Sequence, residues 1–213
     1  TRTALLLAWQ SHRLELLTLL AQGERSVDEL ARETCLPVAS VSQHLQVLRQ
    51  AGLVEVRRVG VRAIYRLDNE DIYIVLRAVR DLGEKRLPDC DALMQQFRAE
   101  RPSGTEISFD ELLSVLGNGQ TQLLDVRPSG EYSQGHIRGA ISIPLDELEQ
   151  RVAELSSELP IVVYCRGPYS MLADRAVAWL KQHGYPARRL QQGFPDWQVS
   201  GLPVDFEENK LRV

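Results

Sequence analysis

The sequence predicts two domains: a mainly α winged helix-turn-helix unit, followed by an α/β unit with a mostly parallel sheet. Three observations carry that prediction. Between Val27 and Leu67, two apolar-faced helical patterns joined by a brief turn precede two alternating runs set around a glycine. A polar stretch with Pro and Gly close together, Ala99–Gly104, then ends that pattern. Beyond it, strand and helix patterns alternate, as in a parallel sheet. The expected boundaries are 1–99 for the first domain, 100–105 for a linker and 106–213 for the second.

The formal net charge of −4 and the 44% hydrophobic content fit a globular chain and argue against disorder. No apolar run approaches the roughly 20 residues that span a bilayer, so no membrane partner is expected. No signal-peptide pattern opens the chain, and Thr1-Arg2-Thr3 in place of an initiator Met reads as a trimmed start. The three cysteines, Cys35, Cys90 and Cys165, are few, odd in number and far apart. They do not form a secreted disulfide framework, which leads us to expect the reducing cytoplasm.

In the first domain, Leu14, Leu16, Leu17, Leu19 and Leu20 form one strongly apolar helix that ends at Gly23. Ser26 is suited to cap the next helix, and Glu29 three residues later completes a capping box. This helix runs from Val27 to about Glu33. A turn through Cys35-Leu36-Pro37 follows, with Pro37 expected in the first turn of a helix from Val38 to Gln50. There Val41, Leu45 and Leu48 share one face. Ser40, Ser42, Gln43, His44 and Gln46 stay polar, the side-chain types that bond to base edges and phosphates. Leu53–Arg58 and Arg62–Leu67 then alternate about Val59-Gly60-Val61, as a hairpin wing does. From Arg49 to Arg66 there are five arginines against one acid, Glu55. Arg57, Arg58 and Arg62 are the candidate phosphate contacts on operator DNA. The alternative is a solvated charged hairpin beside an ordinary helix pair. Asp71–Phe97 reads as a long, mostly helical segment with Ile72, Ile74, Val75, Leu76, Val79 and Leu82 on its apolar side. With Leu5–Leu20, that face exceeds what one small domain buries, so a two-fold homodimer is expected. Pro88 must kink this segment or start a new helix.

In the second domain, strands are expected at Glu106–Phe109, Gln122–Val126, Ile161–Tyr164 and Ala187–Leu190. Helices are expected near Asp110–Leu116, Leu145–Glu154 and Met171–His183. The Ile161–Tyr164 run ends in Cys165, and the loop Arg166-Gly167-Pro168-Tyr169-Ser170 leads to a helix start. Unpaired amides and the helix dipole favour an anion there. A free thiol with a pKa of about 8.5 becomes more acidic in such a place. The other reading is a buried cysteine that ends a core strand. A phosphatase-like loop needs an Arg six positions after the cysteine, and that position is Met171, which argues against phosphoryl or arsenyl transfer. Arg166 or Arg127 is placed to attract an anion, although Arg127 is equally suited to pair with Asp125 or Glu131. His136 reads as a loop anchor and Ser170 as a helix cap.

Leu123-Leu124-Asp125-Val126-Arg127 with Glu131, Gly135-His136-Ile137-Arg138-Gly139-Ala140, Cys165 and its loop, and Gly193-Phe194-Pro195-Asp196-Trp197 resemble the rhodanese family over about Ser108–Val204. The resemblance implies sulfur transfer through a persulfide on Cys165, with Arg166, Gly167, Pro168, Tyr169 and Ser170 as the surrounding loop. Gly167 stands one residue earlier than in the commonest rhodanese loop. Fused relatives often carry a second cysteine where this chain has Ser170. Val27–Leu67, above all Ser42-Gln43-His44-Leu45 and Leu48–Val54, resembles ArsR/SmtB-type winged-helix repressors. This implies a homodimer that binds double-stranded DNA. That family's metal-binding cysteines would fall in Ser26–Leu30, which has neither Cys nor His, so no metal and no cofactor is expected. Cys35 and Cys90 are candidate sensing thiols; the simpler reading makes them unrelated small hydrophobes. The function expected is a transcriptional regulator, as a repressor, that responds to reactive sulfur species or a thiophilic oxyanion. The sulfur donor would be one such as thiosulfate or a persulfide. The alternative is a sulfurtransferase enzyme whose helix-turn-helix domain mainly dimerises.

Overall fold

The computed structural model describes residues 10–86, 106–117 and 119–207, apart from the Lys85 side chain. The chain divides into two compact units, Thr1–Gly83 and Glu84–Val213. The expected linker at 100–105, the expected helical residues beyond Arg86, Pro88, Cys90 and the Leu5–Leu7 start all lie outside the described residues.

In the first unit, α1 (Ser11–Leu20) buries Leu16, Leu17 and Leu20. A two-residue strand, β1 (Arg25–Ser26), leads directly into α2 (Val27–Thr34). The capping box forms as expected: Ser26 Oγ accepts from the Glu29 amide at 3.3 Å, and Glu29 Oε2 accepts from the Ser26 amide at 2.7 Å. Cys35 ends α2 with φ 55°, a left-handed conformation more usual for glycine. α3 (Val38–Gln50) follows, with Pro37 as its N-cap residue, just outside the first turn where the sequence had placed it. Its Val41, Leu45 and Leu48 are buried in one cluster with α1, α2 and Tyr65.

The wing is the antiparallel pair β2 (Val54–Val59) and β3 (Arg62–Leu67). It turns at Gly60, whose φ of 59° suits glycine. β1 pairs with β3, Ser26 opposite Ile64, which makes a three-stranded sheet. That pairing is absent from the sequence reading, because two residues carry no alternation to detect. α4 (Asp71–Arg86) closes the described part of the unit and leaves Ile74, Val75 and Leu82 exposed.

The second unit is built on a five-stranded sheet in which every pairing is parallel. Its strands are β4 (Glu106–Ile107), β5 (Gln122–Asp125), β7 (Ile141–Ser142), β8 (Ile161–Tyr164) and β9 (Ala187–Leu190), in the order β4-β9-β8-β5-β7. Helices α5 (Phe109–Leu116), α6 (Ser129–Gln134), α7 (Leu148–Arg151), α8 (Met171–Gln182) and α9 (Phe194–Val199) connect them. Phe109 belongs to α5, because Ser108 and Glu111 form a capping box that starts the helix before it. The expected Leu145–Glu154 helix is shorter, comprising α7 and a 3-10 turn at Val152–Glu154. A small antiparallel pair, β6 (His136–Ile137) with β10 (Val204–Asp205), stands apart from the main sheet.

β8 is central and covered on both faces, so it reads as an unbroken apolar run. Ile161, Val163 and Cys165 face the cluster formed with α8. Val162 and Tyr164 face the cluster that holds Leu112, Phe194 and Trp197. The period of two along the strand thus places the Cys165 sulfur on the α8 side.

Candidate functional site

Cys165 stands one residue beyond the carboxyl end of β8, where open parallel sheets bind ligands. It is 1% exposed. Its Sγ lies 3.7 Å from the Gly167 carbonyl oxygen and 3.8 Å from that of Ser170, to which the thiol donates. A protonated thiol is a weak donor, and carbonyls suit it. The amide arrangement expected for an anion is therefore not what this thiol rests against. Ser170 is the N-cap residue of α8 as expected, but its hydroxyl caps no amide. The Ser170 amide instead donates to the Gly167 carbonyl at 3.2 Å and closes the loop as a turn.

Three features fix this loop, and two of them, at Arg189 and Gly193, are absent from the sequence reading. Arg189, on β9 beside Val163, is 1% exposed. Its Nη2 donates to the carbonyls of Gly167 (3.0 Å) and Pro168 (2.9 Å), while Nη1 pairs with Asp174 of α8 at 3.1 Å. A charged residue in an interior strand is the signal that could have found it, since a buried cation needs a defined partner. On another side, Gly193 backs the loop so closely that a Cβ there would lie 2.4 Å from the Arg166 carbonyl carbon and the Gly167 nitrogen. The Phe194 amide donates to the Cys165 carbonyl at 3.1 Å and ties the start of α9 to the same place.

The third feature is a line of alternating charge. Asp125 and Arg127, both fully buried, form a two-pronged pair with Arg127 Nη2 2.7 Å from Asp125 Oδ2. Arg127 also donates to the Gly135 carbonyl at 2.8 Å and lies 4.3 Å over the Phe194 ring. Burial alone would lower the Arg127 pKa, but the charge and hydrogen bonds of Asp125, with Tyr164 and Glu131 beside it, together hold the value above that of an ordinary arginine. Buried Glu131 stands next, with Arg127 Nη1 4.0 Å away and Arg166 Nε donating to it at 2.8 Å. Arg127 is thus structural and cannot meet a donor, whereas half-buried Arg166 reaches the mouth of the site. His136 anchors its loop as expected: Nδ1 bonds the Tyr132 carbonyl at 2.9 Å, and the ring stacks on Tyr132 at 3.7 Å. Tyr169 is exposed, and Gly167 and Pro168 are half-buried. A cavity of 480 Å³ opens beside Arg166, with Val126, Leu145 and Leu172 among its walls.

In the first unit, Gln43 and Gln46 on α3 are exposed, while Ser40, Ser42 and His44 are half-buried. The His44 ring lies 5.9 Å from that of His12 on α1. Burial first, then the nearby charges of Arg13 and His12, push the His44 pKa down. On the wing, Arg57 Nε bonds Glu24 Oε2 at 3.0 Å, so its charge is partly compensated. Arg58 and Arg62, also exposed, make no ion pair among the described residues. Cys35 is exposed, its Sγ 3.9 Å from the Arg32 carbonyl. Among the described residues, no group of three or more His, Cys, Asp or Glu side chains is placed to hold a metal ion. No described helix is long and apolar enough to cross a membrane.

Comparison with known proteins divides the chain as the geometry does. Residues 10–56 match the family described as bacterial regulatory protein, arsR family, and residues 108–200 match the rhodanese-like domain. The HTH-type transcriptional regulator Rv0324 of Mycobacterium tuberculosis is 40% identical over 91% of this chain and 84% of its own. The HTH-type transcriptional regulator KmtR of the same organism is 48% identical over 32% of this chain and 52% of its own. A sulfurtransferase of Allochromatium vinosum is 32% identical over 46% of this chain and 92% of its own. With a helix-turn-helix and wing in one unit and a buried cysteine just beyond the carboxyl end of a central parallel strand in the other, the chain belongs to the ArsR-family transcriptional regulators that carry a C-terminal rhodanese-like domain.

Proposed function

We propose that this regulator is a cytoplasmic, homodimeric repressor whose grip on operator DNA depends on sulfur carried by Cys165. The observation that carries the reading is the setting of Cys165, a buried thiol at a strand end. Its loop is held from beneath by Arg189 and from behind by Gly193. Sulfur would arrive when the Cys165 thiolate attacks the outer sulfur of a donor such as thiosulfate or a persulfide, and the donor's remainder would leave.

The DNA side rests on the exposed Gln43 and Gln46 of α3, and on Arg58 and Arg62 at the wing tip. Base edges would be met by the first pair and phosphates by the second. The exposed apolar Ile74, Val75 and Leu82 of α4 support a dimer, since water-facing residues of this kind are suited to a partner's surface. Cys165 loading alters operator affinity only if the loaded and free forms bind DNA differently. A coupling of about 1–3 kcal/mol, typical of such systems, corresponds to roughly 5- to 150-fold in affinity.

The test is an operator titration with the full chain, before and after treatment with a sulfur donor. The parent should lose affinity on loading, and Cys165→Ser should bind like the parent and ignore the donor. A Cys165→Ser protein that still releases DNA on treatment would sink the scheme and return attention to Cys35 and Cys90. The similarity to a stand-alone sulfurtransferase favours a second reading, in which the domain turns over as an enzyme. Multiple turnover with thiosulfate, without any change in operator affinity, would select it.

A further inference from the structure

Between Val54 and Leu67 the wing carries Arg57, Arg58, Arg62 and Arg66 against Glu55 alone. The sheet presents these cations unequally. Side chains alternate along a strand, and paired residues of neighbouring strands share a face. Val54, Val56, Ala63, Tyr65 and Leu67 belong to, or pack on, the apolar cluster of the helices, so Arg58, opposite Ala63, is on that side. Glu55 and Arg57 fall on the outer face, with Arg66 opposite Glu55, and Arg62 lies at the tip of the same face.

On the outer face two arginines are held by acids. Arg66 donates from Nε and Nη2 to Glu55 Oε2, at 3.0 and 2.6 Å. Arg57 donates in the same way to Oε2 of Glu24, with the Nε bond 3.0 Å long. Glu24 stands immediately before β1, so this acid comes from outside the hairpin and is invisible in a charge count along it. Arg57 is diagonal to Arg62 in the strand register, about 7–8 Å away by sheet geometry. Phosphates of one strand recur about every 3.4 Å of duplex axis, so a duplex that meets Arg62 also offers charge to Arg57. The Arg57 and Glu24 side chains are 54% and 29% exposed, and so exposed a pair is weak. Breaking it nevertheless subtracts from any phosphate contact that Arg57 makes, and it leaves the Glu24 carboxylate facing a polyanion.

We propose that Glu24 is a negative determinant of DNA affinity, which withholds Arg57 from the phosphates beside the wing tip. This rests on the reading that Arg58 and Arg62 meet phosphate. Phosphate contacts carry no sequence information, so the restraint lowers affinity on all duplexes alike and leaves readout by α3 untouched. It keeps the complex weak enough for a modest coupling to release it.

The experiment titrates the full chain against a random-sequence duplex over a range of salt concentrations. Glu24→Gln keeps the size of the side chain and removes its charge. One added phosphate contact steepens the fall of log K with log salt by about 0.9, which is roughly eightfold in affinity at 0.1 M relative to 1 M salt. Glu24→Gln should therefore bind about five- to tenfold more tightly at 0.1 M salt for each wing engaged, with the steeper slope. The double variant Glu24→Gln, Arg57→Gln, whose net charge equals the parent's, should return to parental affinity and slope. Glu55→Gln, which releases Arg66 farther from the tip, should gain less than about twofold, since Arg66 is too far back to add a phosphate contact. Parental or weaker binding by Glu24→Gln, a gain that survives in the double variant, or an equal gain from Glu55→Gln would each overturn the inference. If Arg58→Ala and Arg62→Ala also leave the salt slope at the parental value, the reading of the wing beneath it fails as well.

Discussion

Gly193→Ala isolates the packing behind the Cys165 loop. Gly193 has φ −109° and ψ −177°, extended backbone that alanine adopts as readily as glycine. The whole effect of the substitution is therefore steric. The added Cβ would stand 2.4 Å from the Arg166 carbonyl carbon and the Gly167 nitrogen, and 2.5 Å from the Arg166 oxygen. Ordinary carbon contacts are about 3.5–4.0 Å, so backbone must yield by roughly 1 Å. No flexible side chain is available to absorb that shift. Overpacking of this kind costs about 1–3 kcal/mol, and each kcal/mol lowers Tm by about 4–8 °C for a domain of this size. Because the displaced atoms carry the cysteine loop, a misplacement of about 1 Å should also slow sulfur loading by up to roughly 100-fold. Thermal unfolding by circular dichroism reads the first effect and intact mass against time reads the second. A variant with parental Tm and parental loading would refute the claim that Gly193 sets the loop position.

Arg189→Met should destabilise the second unit by up to about 3–5 kcal/mol, because it removes a buried cation together with its bonds to Asp174 and to two loop carbonyls. Urea unfolding checks this, and a loss below about 1 kcal/mol would show that Arg189 does not clamp the loop. In the first unit, Gln43→Ala should cost about 1–3 kcal/mol at one base position, whereas Arg58→Ala should weaken all sequences and flatten the salt dependence. Similar behaviour of the two variants on operator and random DNA would contradict that division of labour. His44 provides a pH signature. Its folded pKa is depressed, so the unfolded chain binds more protons between that value and about 6.5, and stability rises with pH across this window. Acidification through it should destabilise the winged unit, and His44→Gln should flatten the slope. An unchanged slope would mean that another group titrates.

The sequence made the elements legible where periodicity or capping chemistry was strong. Val41, Leu45 and Leu48 marked the buried face of α3, and Ser26 with Glu29 marked the start of α2 within a residue. The uniform apolar character of Ile161–Tyr164 correctly signalled a strand covered on both faces. What was illegible depended on neighbours distant in the chain. Arg189 and the Gly167 carbonyl meet only because β9 pairs with β8 in one register. Gly193 stood in the sequence only as part of a family motif, and its closeness to Arg166 follows from the path of the chain between β9 and α9. Ser170 misled for a local reason: a serine at an N-cap position normally offers its hydroxyl to an amide, and here that bond is not made.

Ser26 holds two offices at once in the first unit. Its side chain starts α2, and its backbone sits opposite Ile64 in the wing. Arg25, buried beside it, bonds Glu33 of α2 at 2.9 Å and the Leu19 carbonyl of α1 at 2.7 Å. Two consecutive residues therefore lash α1, α2 and the wing into a single stiff reading head. Such a head has no hinge of its own through which the wing could fold away from the recognition helix. In the proposed dimer, a signal that loosens DNA would then act on the distance or tilt between two intact heads. Half-operator binding by one head should consequently be indifferent to sulfur, and the response should appear only on DNA that carries both half-sites at fixed spacing.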